Sequence, residues 1–390
     1  MQKRLLSLDV FRGLTVALMI LVNNPGSWRH IYAPLRHASW HGWTPTDLVF
    51  PFFLFIVGVA ISLSFSKHRE KGEGRRDLTR KIIRRTILIF AFGLLLNGWP
   101  FGIPFNAQMA KEWDIWFFFR RWTDIRIFGV LQRIALAYFA VGLITLYLPR
   151  VRNRVLAGLG FFALYEILMR APLVAGWGAG DFSLQHNFAR WFDLLILGEN
   201  HVWGGQGIPF DPEGIISTLP AVVTTLLGVF VGDIIRKKQS HQEKLSSIFT
   251  MGVLLYFIGN LLSPWEPINK ALWTCTYVLV TGGLAMIMVV FTSWIVDVRG
   301  WVKWAKPAIV FGSNPLVVFV GSGILARSMN LIRWTTADGS VVSVKGFIYG
   351  NWIAPYFTPI NASLTYALLN IAFWTAILWY LYVKKIFIKI

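Results

Sequence analysis

The feature that most constrains this chain is a series of uncharged apolar stretches, each long enough to cross a lipid bilayer. A helix needs roughly 20 apolar residues to span the ~30 Å hydrocarbon core, and Leu48–Phe65 is a clear example. The 390-residue chain is 55% hydrophobic and only 15% charged, which is too apolar for a soluble globular protein. Alternation of the β-barrel type is absent from the sequence. These features predict an all-α, polytopic helical bundle in a lipid bilayer.

The apolar stretches predict about ten transmembrane helices within a single domain, residues 1–390. Their predicted bounds are 7–22, 46–65, 84–97, 127–148, 155–169, 212–235, 245–262, 272–296, 307–326 and 360–383, with an external polar loop at 171–210. Thr46 or Asp47 is expected to cap the second helix, and Asp211-Pro212-Glu213 is a typical helix start for the sixth. The ninth helix contains Gly312-Ser313-Asn314-Pro315, a break that a membrane helix tolerates where it lines a cavity.

The distribution of basic residues predicts the orientation of the bundle. Of 38 Lys and Arg residues, 24 lie on the same side as the amino terminus, 12 lie opposite, and Arg12 and Arg133 lie within helices. Because cytoplasmic loops carry the excess of Lys and Arg, both termini are expected in the cytoplasm and His37 outside. We expect an integral protein of a bacterial inner membrane, with its active site towards the external side.

The composition also excludes several functional classes. The net charge of +19 comes from short basic clusters between apolar runs, and it does not form the basic face that nucleic-acid binding requires. The single cysteine, Cys275, lies in an apolar run, so no disulfide and no thiol metal site is expected. Metal-ligand spacings, phosphate loops and dinucleotide fingerprints are absent from the sequence. We therefore predict neither a nucleic-acid partner nor a metal.

The segment before the second helix carries a candidate catalytic histidine. His37 and Asp47 lie together with three hydroxyl residues just before Leu48–Phe65. Imidazole titrates near neutral pH and can take a proton from an amine or a hydroxyl, or carry an acyl group. Asp47 can orient that ring or simply cap the helix, and a histidine beside tryptophans can also be a packing residue. His41, four residues later, is the natural control.

Two arginines within predicted helices indicate polar contacts at membrane depth. An arginine there costs at least about 2.5–3.5 kcal/mol on insertion scales, so it faces a partner or a polar cavity. Asp9, three residues from Arg12, is the expected partner of that arginine. Arg133, next to Gln132, has no partner in its own helix, which favours a cavity. The basic clusters on the cytoplasmic side would attract a polyanion such as coenzyme A.

Several motifs along the chain resemble the heparan-alpha-glucosaminide N-acetyltransferase family. They are Ser7-Leu8-Asp9-Val10-Phe11-Arg12-Gly13, the segment Arg36–Trp40 with Gly42, Asp47-Leu48-Val49-Phe50-Pro51, Gly129-Val130-Leu131-Gln132-Arg133, Asp211-Pro212-Glu213-Gly214, Asn269-Lys270 with Leu272-Trp273, and Lys384-Lys385-Ile386-Phe387. The motifs occur in order from one end of the chain to the other, whereas the 171–210 loop matches poorly.

The resemblance implies a dimeric membrane enzyme that uses cytosolic acetyl-CoA to acetylate a terminal glucosamine on the other side of the membrane. The family's active-site histidine matches His37, and an asparagine at the end of the preceding helix matches Asn23. We expect His37 to be the base or transient acyl carrier, Asn23 to hydrogen bond the developing oxyanion, and Asp47 to orient the histidine. The expected donor-binding residues are Arg12, Gln132, Arg133, Lys270, Ser313 and Asn314. The expected acceptor-binding residues are Trp40, Asp211, Glu213 and Trp273.

Two other functions remain open from the sequence. The opening motif Asp9-Val10-Phe11-Arg12-Gly13 also resembles larger acyltransferase families, which allows an O-acyltransferase of envelope glycans. The broken ninth helix and Arg133 are also compatible with a midplane site in a transporter of an anionic solute. Internal repeats, which many transporters have, are not evident in this sequence.

Overall fold

The computed structural model describes residues 5–104, 110–111, 114, 116, 119 and 122–388, and most of them are helical. The main α-helices are α1 (Leu6–Asn23), α2 (Val49–Glu70), α3 (Arg75–Gly98), α4 (Val130–Tyr147), α5 (Val151–Arg170), α6 (Phe188–Leu197), α7 (Ile215–Arg236), α8 (His241–Leu262), α9 (Cys275–Ser293), α10 (Lys306–Ser313), α11 (Pro315–Leu331), α12 (Val344–Trp352) and α13 (Pro359–Val383). A two-stranded antiparallel hairpin, β1 (Arg333–Thr335) and β2 (Val341–Ser343), precedes α12. Apart from this hairpin, the described fold agrees with the all-α prediction.

Length and composition make some of these helices candidate membrane spans. Within the described ranges, seven segments qualify: Leu6–Asn23, Pro45–His68, Val130–Tyr147, Ile215–Arg236, His241–Leu262, Cys275–Val298 and Pro359–Val383. The pair α10 and α11 makes eight if it counts as one bent span. Helices α3 and α5 occupy the positions of the third and fifth predicted spans, but the charged residues near their ends keep them out of this group. The fold is thus that of a helical membrane protein with seven or eight candidate spans.

Helices α2 and α7 pack closely at the centre of the bundle. A Cβ added to Gly58 would lie 1.9 Å from the main-chain oxygen of Thr225, and one added to Gly228 would lie 1.9 Å from that of Phe55. Glycine at both positions lets the two backbones approach, as small residues commonly do between membrane helices. Buried side chains of α4 and α9 complete the apolar core around this pair.

Helix α1 packs against helices from the other end of the sequence. Gly13 faces α10 so closely that a Cβ there would lie 1.6 Å from the main-chain oxygen of Ala308. The predicted ion pair between Asp9 and Arg12 is present at 3.6 Å. Arg12 also donates a hydrogen bond to the carbonyl oxygen of Gly312 at 3.4 Å. The first helix therefore depends on residues about 300 positions later for its packing and for part of its polar contacts.

The predicted break in the ninth helix is a bend of 72° between α10 and α11. Asn314 lies at the bend and is fully buried. Its Nδ2 donates to the carbonyl oxygen of Ile386 at 3.0 Å, and its Oδ1 accepts from the main-chain N–H of Ile388 at 2.8 Å. Asn314 therefore holds the segment 384–388 against the bend.

Several predicted boundaries were wrong. The predicted loop 171–210 contains α6 and a 3₁₀ turn, and the interval 327–359 between the predicted ninth and tenth helices contains the hairpin and α12. Helix α3 begins at Arg75, nine residues before its predicted start, because long cationic side chains are accommodated in an exposed helical end. Helix α7 begins at Ile215, not at residue 212, and its first N–H donates to the carboxylate of Asp193 at 2.8 Å. Much of the interval 98–126, between the predicted third and fourth helices, lies outside the described residues.

Candidate active site

A cavity of about 670 Å³ runs between α1, α2, α3, α4 and α11. Along α1 it extends from Arg12 to Asn23, which are eleven positions and therefore about 16 Å of helix apart. We call the end lined by His37, Asp47 and Lys270 the histidine end, and the end lined by Arg12, Arg85 and Ser313 the arginine end. Between them the lining is mainly apolar.

At the histidine end, the ring of His37 is held by a buried carboxylate. His37 Nδ1 lies 2.6 Å from Asp47 Oδ1. The other oxygen, Oδ2, accepts hydrogen bonds from the main-chain N–H groups of Ala38 and Thr44, each at 3.0 Å. The Asp47 side chain is 1% exposed, whereas that of His37 is 44% exposed. A carboxylate at Nδ1 favours the tautomer in which Nε2 is the free base, so this arrangement can present a base to a substrate in the cavity.

Asp47 was expected as a helix cap, and the structure gives it a related but different position. It lies in a 3₁₀ turn, Pro45–Leu48, that leads into α2, and Thr44 precedes that turn as its N-terminal cap. The Asp47 carboxylate turns back to the N–H of Thr44 while also contacting His37. The same side chain thus closes the start of the turn and fixes the histidine ring.

Lys270 lies against this pair rather than among the donor contacts proposed from the sequence. Its Nζ is 3.0 Å from His37 Nδ1 and 3.3 Å from Asp47 Oδ1. Burial lowers the pKa of Lys270, while the nearby carboxylates of Asp47 and Glu213 act in the opposite direction. A second nitrogen base therefore lies within contact distance of the candidate catalytic histidine.

Asn269 joins the two loops that carry these residues. Its Nδ2 donates to the carbonyl oxygen of Trp40 at 2.9 Å, and the N–H of Gly42 donates to the carbonyl oxygen of Ile268 at 2.7 Å. Gly42 has φ of 91°, a left-handed conformation that favours glycine. His41, the control residue, lies beside Asn269 and outside the cavity lining. These contacts hold Lys270 against a histidine 233 positions earlier.

Arg126 was missed by the sequence analysis, and it organises a second charged group at the histidine end. Its guanidinium donates to both oxygens of Asp211, at 2.9 and 2.6 Å, and to Glu213 at 2.5 Å. These two carboxylates outweigh the effect of burial and raise the pKa of Arg126. Arg126 and Glu213 line the cavity together with Trp203 and Gln206 from the 171–210 segment. The sequence indicated only that an arginine precedes the predicted fourth helix, on the side of the membrane that was predicted for Asp211 and Glu213.

The predicted site residues divide into two groups by position. Those lining the cavity are Arg12, Asn23, His37, Trp40, Asp47, Glu213, Lys270 and Ser313. Those outside its lining are Gln132, Arg133, Asp211, Trp273 and Asn314. Within the described part of the chain, the Asn23 side chain has no hydrogen-bond partner, so its amide is available to a bound molecule.

Arg133 supports the site from behind. It is fully buried, donates to the hydroxyl of Ser217, and lies with its guanidinium 4.9 Å from the ring centre of Trp273. Trp273 in turn donates from Nε1 to Thr224 at 3.1 Å. A membrane arginine is expected to have polar contacts, and for Arg133 these are made by α7 and an aromatic ring. Arg133 does not face the cavity.

A further acidic group lies away from the cavity. Glu166, Glu266 and Cys275 bring three potential ligand atoms within 4.8 Å of one another. The carboxylate of Glu266 accepts the N–H groups of Cys275 and Thr276 at 2.9 and 2.8 Å, and Glu166 pairs with Arg170. These acids are thus engaged in capping α9 and in an ion pair.

Comparison with known proteins identifies related sequences. The family model described as "Heparan-alpha-glucosaminide N-acetyltransferase, catalytic" matches residues 4–262. The chain is 28% identical to the heparan-alpha-glucosaminide N-acetyltransferase of mouse (Mus musculus) and to that of human (Homo sapiens), each over 435 aligned positions. These alignments cover 99% of this chain and 60% of each relative. The chain thus spans about 60% of the length of the curated relatives that it matches.

Proposed function

The chain belongs to the heparan-alpha-glucosaminide N-acetyltransferase catalytic family, and from this membership we propose that it is a membrane acetyltransferase. The proposed reaction moves acetyl from cytosolic acetyl-CoA to the amino group of a terminal glucosamine or a related amino sugar. The observation that carries the proposal is the His37–Asp47 pair, with Nδ1 and Oδ1 2.6 Å apart at one end of a long cavity. This pair supplies the base that acyl transfer to an amine needs.

In the proposed reaction, Nε2 of His37 takes a proton from the amine as its nitrogen attacks the thioester carbonyl. Asn23, which lines the cavity without a partner among the described residues, donates a hydrogen bond to the developing oxyanion. The C–S bond then breaks, and the sulfur of CoA receives the proton that His37 carries. In the alternative with an acetyl-histidine intermediate, His37 first takes the acetyl group from CoA and then passes it to the amine, so the same residues act in two steps.

We propose that acetyl-CoA binds with its phosphates at the arginine end and its thioester at the histidine end. The apolar lining between the ends suits an extended pantetheine arm, whose length is on the order of half the ~30 Å core. Arg12, Ser313 and Arg85 are the proposed contacts near the nucleotide. Gln132, Arg133 and Asn314 act indirectly in this proposal, because they lie outside the cavity lining.

The acceptor is proposed to bind at the histidine end. Trp40 lines the cavity there, and its Nε1 donates to the carbonyl oxygen of Phe182 at 2.9 Å. Glu213 and Gln206 offer hydrogen-bonding groups suited to sugar hydroxyls. Asp211 and Trp273 support this wall from outside the lining.

The proposed arrangement in the membrane follows from the distribution of basic residues. Both termini and the arginine end lie on the cytoplasmic side of a bacterial inner membrane, and the histidine end lies outside. In this arrangement α3 and α5 also cross the bilayer, which gives ten spans, and the enzyme is a homodimer. Cysteine labelling from either side of sealed vesicles, at an introduced cysteine near residue 72 and another near residue 205, tests the orientation.

The central experiment measures acetyl transfer from labelled acetyl-CoA to glucosamine by the purified protein. We expect transfer by the wild type and by His41→Ala, and its loss in His37→Ala. Equal activity in all three would remove His37 from the mechanism. Transfer to hydroxyl acceptors alone would indicate an O-acyltransferase, and solute counterflow in vesicles without acetyl transfer would indicate a transporter.

A further inference from the structure

The position of Lys270 is not explained by the proposed roles of His37 and Asp47. Its Nζ lies 3.0 Å from His37 Nδ1, 3.5 Å from His37 Nε2 and 3.3 Å from Asp47 Oδ1. Its side chain is held there by the loop that Asn269 ties to Trp40. Lys270 also lines the cavity, so its amine lies beside the place where chemistry is proposed.

Hydrogen-bonding capacity limits what this contact can be. A lysine ammonium has only donors, and the Nδ1 of a histidine that donates to a carboxylate has no free lone pair. Lys270 and His37 therefore compete for the same oxygen, Asp47 Oδ1. If both bases were protonated, two cations would lie about 3 Å apart and share one carboxylate, which is strongly unfavourable.

The other charged groups near the pair do not relieve this competition. Glu213 attracts Lys270, but its carboxylate is already bound to Arg126, which lies in the same wall. Arg126 also occupies Asp211 through two hydrogen bonds. In the described site, His37 and Lys270 therefore share the carboxylate of Asp47.

We propose that Lys270 is a positioning residue that keeps His37 unprotonated until the substrate amine delivers its proton. This inference rests on the proposed function for its catalytic consequence. The imidazolium formed during attack is then repelled by the lysine cation beside the ring. It then gives its proton to the departing sulfur of CoA, so the proton moves from the amine nitrogen to His37 and on to the thiol while the C–N bond forms and the C–S bond breaks.

Chemical modification tests this role without requiring acetyl transfer. Diethyl pyrocarbonate reacts with neutral imidazole, and peptide mass spectrometry resolves the modification of each histidine. We compare the ratio of the His37 modification rate at pH 6 to that at pH 8 in the wild type, Lys270→Met and Lys270→Arg. His186, whose side chain is 62% exposed and lies 3.9 Å from Asp181, serves as the reference in every sample.

The expected result is a fall of about threefold to tenfold in this ratio for Lys270→Met, because the neighbouring cation that opposes protonation of His37 is lost. Lys270→Arg keeps the wild-type ratio, and the ratio for His186 stays constant in all three proteins. An unchanged His37 ratio in Lys270→Met, with normal His186 modification, would overturn the inference. An equally large change of the His37 ratio in Lys270→Met and Lys270→Arg would also overturn it. Arginine keeps the positive charge, so that result would mean that Lys270 only holds the loop.

The same variants separate this inference from the proposed function. If the wild type transfers acetyl groups, kcat/KM of Lys270→Met at pH 6, relative to pH 8, falls by the same factor as the modification ratio. If the wild type transfers none to any acceptor, the proposed function fails, and the modification ratio still decides the role of Lys270.

Discussion

Replacement of Asp47 by asparagine tests the central geometry most directly. The carboxylate binds on two sides: Oδ2 accepts the N–H groups of Ala38 and Thr44, and Oδ1 accepts from His37 Nδ1. In Asp47→Asn, the amide oxygen can keep the two main-chain hydrogen bonds, so the turn before α2 should persist. The amide NH₂ then faces the Nδ1–H group of His37, so two hydrogen-bond donors point at each other.

The histidine escapes this conflict by moving its proton to Nε2, the nitrogen proposed to act as the base. The same exchange in a serine-protease triad lowers kcat about 10⁴-fold. Because Lys270 also loses its carboxylate partner here, we expect kcat to fall by about 10²–10⁴-fold, which corresponds to about 2.7–5.4 kcal/mol of activation free energy.

The assay is the initial rate of acetyl transfer by purified protein at saturating acceptor, with acetyl-CoA varied. KM for acetyl-CoA should change by less than about threefold, since Asp47 lies at the opposite end of the cavity from Arg12 and Arg85. Thr44→Val is the matched control: it removes a hydroxyl that donates to the carbonyl oxygen of Arg36 at 2.7 Å and lies 3.2 Å from Asp47 Oδ2, but it leaves the N–H bond to Asp47, so its kcat should stay within about tenfold of the wild type. A kcat for Asp47→Asn within threefold of the wild type would refute the tautomer argument.

Three further predictions concern stability and are measured as thermal unfolding midpoints of the purified protein. Gly58→Ala should destabilise by about 1–3 kcal/mol or more because its Cβ would lie 1.9 Å from a backbone oxygen of α7, whereas Gly160→Ala, with nothing within 4 Å, should change stability by less than about 1 kcal/mol; equal midpoints would contradict the packing. Burial raises the pKa of Asp193 to about 7, so the folded state keeps a proton that the unfolded chain loses above about pH 4, and stability falls as pH rises towards 7; Asp193→Asn should flatten this dependence between pH 5 and 7.5, and an unchanged slope would argue against it. Arg126→Gln should cost about 3–5 kcal/mol by leaving two buried carboxylates without their counter-ion; a second change, Glu213→Gln, should restore part of that loss, and a further loss instead would count against the electrostatic explanation.

The sequence predicted what depends on local pattern. The long helices were located because each is an apolar run, and His37 and Asp47 were paired because only ten residues separate them. The start of α7 was misplaced because Asp211, which looked like a cap, is bound by Arg126, and Asp193 contacts the first N–H instead. The local sequence pattern does not indicate which distant carboxylate an arginine will bind.

The contacts that the sequence did not predict join distant parts of the chain. Lys270 approaches His37 across 233 positions, and Arg126 meets Asp211 across 85. For Arg133, the free-energy cost of placing an arginine in the membrane correctly predicted a polar partner. That cost does not indicate whether the partner is a cavity or a neighbouring helix. In the structure, Ser217 and the ring of Trp273 provide it.

The packing of α1 against α10 has a consequence for how the protein is made. Arg12 hydrogen bonds Gly312, and Gly13 leaves no room for a Cβ beside Ala308, so α1 is synthesised about 300 residues before the helix that it packs against. At about 5–20 residues per second, it waits for about 15–60 s. Throughout that interval Asp9 is the counter-ion that Arg12 carries with it. A helix that brings its own neutralising charge can stay inserted while the ribosome completes the rest of its binding surface.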